Sequence, residues 1–160
     1  MNKVGFGLVE IVIASAIISV SIFSLSAVSV IGSRLQSQSL EKIRANFLAE
    51  EGLEAMRFLR DKGWNTNLAN LSPGTNYYLS FASSTSGWSI GSAATPYTDY
   101  LFDRNITVEN VFRDSNDNIV LSGGTQDQDS KKITVTVSWQ DRNATTSTSL
   151  SAYLSDVFDN

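Results

Sequence analysis

The sequence predicts an α+β fold: one long amino-terminal α-helix, membrane-spanning in its first half and amphipathic in its second, packed on a small carboxy-terminal antiparallel β-sheet. Three patterns predict it. Residues 6–33 form a near-continuous apolar run whose single charge is Glu10, and 23 uncharged residues separate Glu10 from Arg34. At about 1.5 Å per residue, a helix of that length spans roughly the 30 Å hydrocarbon core of a bilayer. Past Arg34, apolar residues recur at spacings near three and four as far as Asp61. Residues 132–140 then alternate apolar and polar with period two, as in a strand with one buried and one wet face.

The 160 residues suit one membrane segment and one small domain, because a soluble part of about 125 residues can bury its own core. A net charge of −4 argues against a general grip on nucleic acid, which requires lysine and arginine clustered on one face. With no cysteine, no disulfide can staple the head, which must rely on core packing or bound ions. With no histidine, the commonest metal ligand and the usual neutral-pH acid–base group are both missing. There is also no glycine-rich phosphate loop and no acid pair in an evident apolar pocket. The expectation is therefore a protein that is not an enzyme, with no catalytic residue, metal or cofactor.

Residues 1–5 are too short for a secretory signal, in which the apolar region precedes the cut. A cut after the small residue Gly5 lies on the near side of the apolar run, so the helix stays on the mature protein. Phe6 becomes the new amino terminus and Glu10 the fifth residue. The stretch Gly5-Phe6-Gly7-Leu8-Val9-Glu10 closely resembles the processing signal of the type IV pilin and pseudopilin family. That resemblance implies cleavage after Gly5 by a prepilin peptidase, N-methylation of Phe6, and pairing of Glu10 with the amine of Phe6 on a neighbouring subunit to fix axial register. Gly7 stands where the family more often has threonine or serine. Ala27 stands where many major pilins carry a kinking proline, which points to a minor pilin, and residues 48–57 look like a stretch common in minor pilins.

A carboxylate in hydrocarbon costs at least several kcal/mol unless it is paired or protonated. Glu10 therefore calls for an explanation: an assembly partner, or a place at the interface near the helix start, where the dipole favours an anion. Seven serines, Ser15, Ser19, Ser21, Ser24, Ser26, Ser29 and Ser33, give the run a narrow small-residue seam. Such a seam lets helices approach closely where water is absent. Alternatively, each hydroxyl bonds back to a carbonyl of its own helix.

In residues 34–62 the expected core-facing stripe is Leu40, Ile43, Phe47, Leu53, Met56 and Leu59, with Glu54–Arg57 and Arg57–Asp61 as exposed ion pairs. The helix should stop at Gly63, in a left-handed conformation. From residue 6 to 62 it would measure about 85 Å.

The head, 63–160, opens with a loop region, 63–104, crossed by one or two short strands near Tyr77-Tyr78-Leu79 and Trp88-Ser89-Ile90. Trp88 and Tyr97 are aromatics with a use in core packing or ligand contact. A sheet is expected over 105–158, with strands at 106–113, 119–121, 132–140 and 146–157, the last turning Leu150, Ala152 and Leu154 inward. Asp114, Asn116 and Asn118 have the alternating oxygen spacing of a calcium loop, but they lack its glycine and its later glutamate, and a polar turn accounts for them. Asp127 and Asp129 read as a solvated loop. Asn105-Ile-Thr and Asn143-Ala-Thr match the glycosylation sequon.

The resemblance implies a structural subunit of a type IV pilus-like filament. Its partners would be other pilin subunits, the prepilin peptidase, an inner-membrane assembly platform and the lipid bilayer, with no nucleic acid. The chain would be a single-pass protein of the cytoplasmic membrane before assembly, and part of an extracellular pilus or periplasmic pseudopilus afterwards. The alternatives are a pseudopilin of a type II secretion system, or an uncleaved single-pass envelope protein with a ligand-binding head.

Overall fold

The computed structural model of the chain describes residues 7–82, 87–94 and 101–158. The chain divides into two compact units, Met1–Glu41 and Lys42–Asn160. One helix, α1 (Leu8–Lys62), contributes to both, and in the second unit it packs on an antiparallel sheet, as expected for the α+β class.

After α1 the described residues form a single turn, α2 (Trp64–Asn67), and then six strands: β1 (Tyr78–Phe81), β2 (Trp88–Gly91), β3 (Phe102–Arg113), β4 (Ile119–Val120), β5 (Thr125–Asp141) and β6 (Ala144–Ser155). β1 and β2 form a two-stranded sheet; the other four pair in the order β4-β3-β5-β6, all antiparallel. Ile106 exchanges both backbone hydrogen bonds with Tyr77, each 2.8 Å, which ties the approach to β1 onto β3.

Period-two burial is clearest along β5, where Ile133, Val135, Val137 and Trp139 are buried between half-exposed Thr134, Thr136 and Ser138. On β6 the inward set is Leu150, Ala152 and Leu154, as the alternation predicted. Strand β3 begins at Phe102, before the expected 106, because Phe102, Arg104, Ile106 and Val108 continue one buried face and the charge on Arg104 masks that pattern. Strand β5 begins at Thr125 rather than 132, so Asp127 and Asp129 lie in a strand, not in a solvated loop. The pairing register shifts between Asn110 and Val111. There Ser130 and Lys131 are buried in succession, and Lys131 Nζ donates to Asn110 Oδ1 at 2.9 Å.

The face that α1 buries differs from the expected stripe. Leu53, Met56 and Leu59 are buried as predicted, but they are joined by Ala45, Ala49, Gly52 and Ala55, while Leu40, Ile43 and Phe47 stay exposed. Helix and sheet meet where small residues permit a close approach, and at about 100° per residue Phe47 lies nearly opposite Ala45 and Ala49. Of the two ion pairs, Glu54–Arg57 forms, whereas Asp61 pairs with its neighbour Arg60 at 2.7 Å.

Helix α1 ends at Lys62, but Gly63 has φ 159° and ψ 110°, not the left-handed values expected. The cap is instead a side chain: Asn67 Nδ2 donates to the Leu59 and Gly63 carbonyls, each at 3.0 Å. The Leu59 carbonyl also accepts from Gly63 N–H at 3.3 Å and the Gly63 carbonyl from Asn67 N–H at 3.1 Å, so the Asn67 side chain adds a further bond at each. Trp64 and Leu68 are thereby turned into the core, with Tyr77, Trp88 and Ile90 packed at its margin.

Candidate functional site at the helix start and the acidic turn

Gly5 and Phe6, expected at a cleavage point, lie outside the described residues, as does Tyr97. Glu10 is described. It stands in the first turn of α1, exposed, and Gly7 N–H donates to its Oε2 at 3.2 Å. Gly7 N–H is one of the donors a helix start leaves without an intrahelical acceptor, and a glutamate three residues on reaches back to it as in a capping box. The helix dipole favours the anion at the same place. Within the single chain, then, Glu10 serves as a helix cap.

Along this part of α1, Leu8, Val9, Ile11, Val12, Ile17, Ile18 and the apolar residues after them as far as Leu40 are all exposed. An 18-residue window reaches a mean hydropathy of 2.4 with none of it buried, so α1 contains a stretch long and apolar enough to cross a membrane. Its serines are compatible with an apolar surrounding. Ser15 donates to the Val12 carbonyl at 2.9 Å, Ser19 to Ser15 at 2.8 Å, Ser21 to Ile17 at 2.8 Å and Ser24 to Val20 at 2.9 Å. Hydroxyls bonded to their own helix bring no unmet donor into an apolar medium.

In the second unit, the Asp114 turn is closed by its own hydrogen bonds. Asp114 Oδ1 accepts from the N–H groups of Asn116 (2.8 Å) and Asn118 (2.9 Å), and Oδ2 from Asn118 Nδ2 (3.2 Å). Hydrogen bonds from Asn118, backbone then side chain, and from the Asn116 backbone hold this carboxyl below the usual carboxylate range. Three of the roughly four lone-pair sites of this carboxylate are thus engaged within the turn. Beside it is an open hollow of about 540 Å³ whose lining includes Asp114, Asp117, Asp127, Asp129 and Asp156. Arg113 enters it, with Nε 2.6 Å from Asp127 Oδ2 and 3.6 Å from Asp117 Oδ1. Among the described residues, no group of three or more acidic side chains is placed to hold a metal ion.

Two pairings were not evident from sequence. Arg104, 6% exposed, donates to the Leu48 carbonyl at 3.0 Å, pairs with Glu51 Oε2 at 3.1 Å and stands 5.4 Å above the Trp88 ring. It links helix, four-stranded sheet and β2, and its inward register beside Phe102 and Ile106 was the available signal. Arg113 with Asp127 is the other; it joins β3 to β5 just past the register shift.

The fold defines a class: an α+β protein in which a long amino-terminal helix, with a stretch long and apolar enough to cross a membrane, runs into a head built on an antiparallel sheet. No protein-family model, no curated protein and no solved structure matches the chain.

Proposed function

We propose that the chain is a structural subunit of a type IV pilus-like filament, made with a five-residue leader, cut after Gly5, N-methylated at Phe6 and assembled through its apolar helix. The carrying observation is an exposed acid, Glu10, four residues from the amine that cleavage would create, at the head of an otherwise uncharged helix of membrane-spanning length. In this reading, Glu10 exchanges its bond to Gly7 N–H for the charged amine of a neighbour's Phe6, and helix burial against like helices replaces burial in lipid. Because that pairing is charge-assisted, it sets axial register more strongly than neutral contacts do. A pseudopilin of a type II secretion system would use the same chemistry. Such a subunit acts by assembly, with a peptidase and a membrane platform as partners, and not as an enzyme.

Intact-mass measurement on chain from cells holding a prepilin peptidase tests this. Loss of residues 1–5 with gain of one methyl is expected, and Glu10→Ala should be cut yet fail to enter filaments. A retained leader, together with filaments that form as readily from Glu10→Ala, overturns the proposal. The bond from Gly7 N–H to Glu10 favours one rival reading, in which the acid merely caps the anchor of an uncleaved single-pass envelope protein.

A further inference from the structure

The pentapeptide Asp-Arg-Asn-X-Thr occurs twice, at 103–107 with Ile106 in the variable place and at 141–145 with Ala144 there. Each contains an N-glycosylation acceptor tripeptide, and the fold treats the two oppositely. The first is inside β3. Asn105 pairs with Thr136 of β5, Ile106 is bonded on its other side to Tyr77, and Arg104 and Ile106 are buried. A transferase could reach it only by taking the sheet apart.

The second copy is the turn between β5 and β6. Asp141 pairs with Ala144 across a two-residue loop, Arg142 has φ 59°, and residues 142–145 are all exposed. The Asn143 carboxamide makes no hydrogen bond to the described residues. Thr145 Oγ1 accepts from Gln140 Nε2 at 2.9 Å, which leaves its own hydrogen available to donate. β6 is the outermost strand, so opening the turn disturbs one neighbour only.

We propose that Asn143 is an N-glycan acceptor for a membrane oligosaccharyltransferase using a polyprenyl-diphosphate-linked oligosaccharide. Asn143 Nδ2 bonds to the anomeric carbon of the first sugar as the bond from that carbon to the diphosphate oxygen breaks. The lipid diphosphate leaves with the electron pair, and the carboxamide proton passes to a base of the transferase; nothing is oxidised or reduced. The Thr145 hydroxyl, two residues on, is the group that completes the acceptor tripeptide. A glycan here also shields one end of β6, whose twelve residues carry no charge and no proline, an edge otherwise open to pairing with other chains. In the cell, the proposal rests on the filament-subunit reading in one respect: the head must lie on the side of the membrane where the donor is presented.

The test uses the folded full chain in detergent with a purified oligosaccharyltransferase and its lipid-linked donor, followed by peptide mass mapping. One glycan on the peptide containing Asn143 and none on that containing Asn105 is expected. Synthetic peptides of 103–107 and 141–145 should both accept. Asn143→Gln and Thr145→Ala should lose the added mass, and Thr145→Ser should keep it, which shows that the hydroxyl and not a folding defect decides. Transfer to Asn105 in the folded chain, or no transfer to the folded chain or to the 141–145 peptide, overturns the proposal. Orientation plays no part in this assay, so a failed filament reading is recognised separately, by the retained leader.

Discussion

At the residue scale, the position that most limits α1 has no side chain. A Cβ at Gly52 would stand 2.7 Å from Val135 Cγ1 and 3.3 Å from Arg104 Cδ. Valine is stiff about χ1 and cannot turn aside, so Gly52→Ala gains about 1 kcal/mol of helix propensity but loses about 1–3 kcal/mol to overpacking. The expected net result is a thermal midpoint lowered by a few degrees, partly restored by adding Val135→Ala. Asp127 illustrates the opposite case, a side chain whose charge is wanted. Burial pushes its carboxyl up, but hydrogen bonds from Arg113, Ser130 and the Asp129 N–H outweigh burial and hold it below the usual range. A carboxylate depressed in the folded state contributes stability that is present above its unfolded pKa, about 4, and lost as pH falls through the folded value. Urea midpoints measured from pH 6 to pH 2 should therefore fall more steeply for the native chain than for Asp127→Asn; parallel curves would refute the pairing.

At the scale of elements, α1 is held to the sheet by packing, by a hydrogen bond from Thr148 Oγ1 to Asn46 Oδ1 at 2.9 Å and by the buried cation Arg104. The Arg104 side chain is 4% exposed, while that of its partner Glu51 is 41% exposed. The two are therefore unequal. Removing Glu51 weakens neutralisation of a buried guanidinium, whereas replacing Arg104 with an apolar side chain of similar length leaves a carboxylate that water can still reach. Glu51→Ala should destabilise by about 1–3 kcal/mol and Arg104→Met by less, as chemical denaturation would measure. This arrangement was only half legible in the sequence. The alternation at 132–140 and the turn at Asp114 are local patterns and fall where expected. The start of β3 was hidden because a buried arginine reads as a solvated one until its partners on α1 are known. Likewise Leu40, Ile43 and Phe47 have helix-compatible spacing, yet they lie on a face the sheet does not meet, because close packing selects Ala45, Ala49 and Gly52.

At the scale of the whole molecule, the division into Met1–Glu41 and Lys42–Asn160 predicts separable behaviour. Among the described residues, every buried core residue belongs to the second unit, from Ala45 to Leu154. Expressed alone, residues 42–160 should be water-soluble and melt cooperatively within a few degrees of the full chain in detergent. Circular dichroism of both would check it, and a non-cooperative melt of the fragment would show that the first unit is needed for folding. Among the described residues of the first unit none is fully buried within the single chain, and in the proposed filament its burial would come from other copies. The proposed cleavage after Gly5 and the outcome expected for Glu10→Ala belong to this scale, because they concern how copies would meet.

By itself the sequence determined that a membrane-length apolar helix leads into an amphipathic one and then into alternating strands. Those features depend on the period of hydrophobic residues and on the length of an uncharged run, both local properties. Only the tertiary structure decided which helix face is buried, where β3 and β5 begin, and that Arg104 and Asp127 are paired charges. It also decided which of two near-identical Asp-Arg-Asn-X-Thr stretches is presented at a turn. The physical reason is that such outcomes depend on residues far apart in the chain: Arg104 on Glu51, Arg113 on Asp127, and Asn105 on the β5 strand beside it.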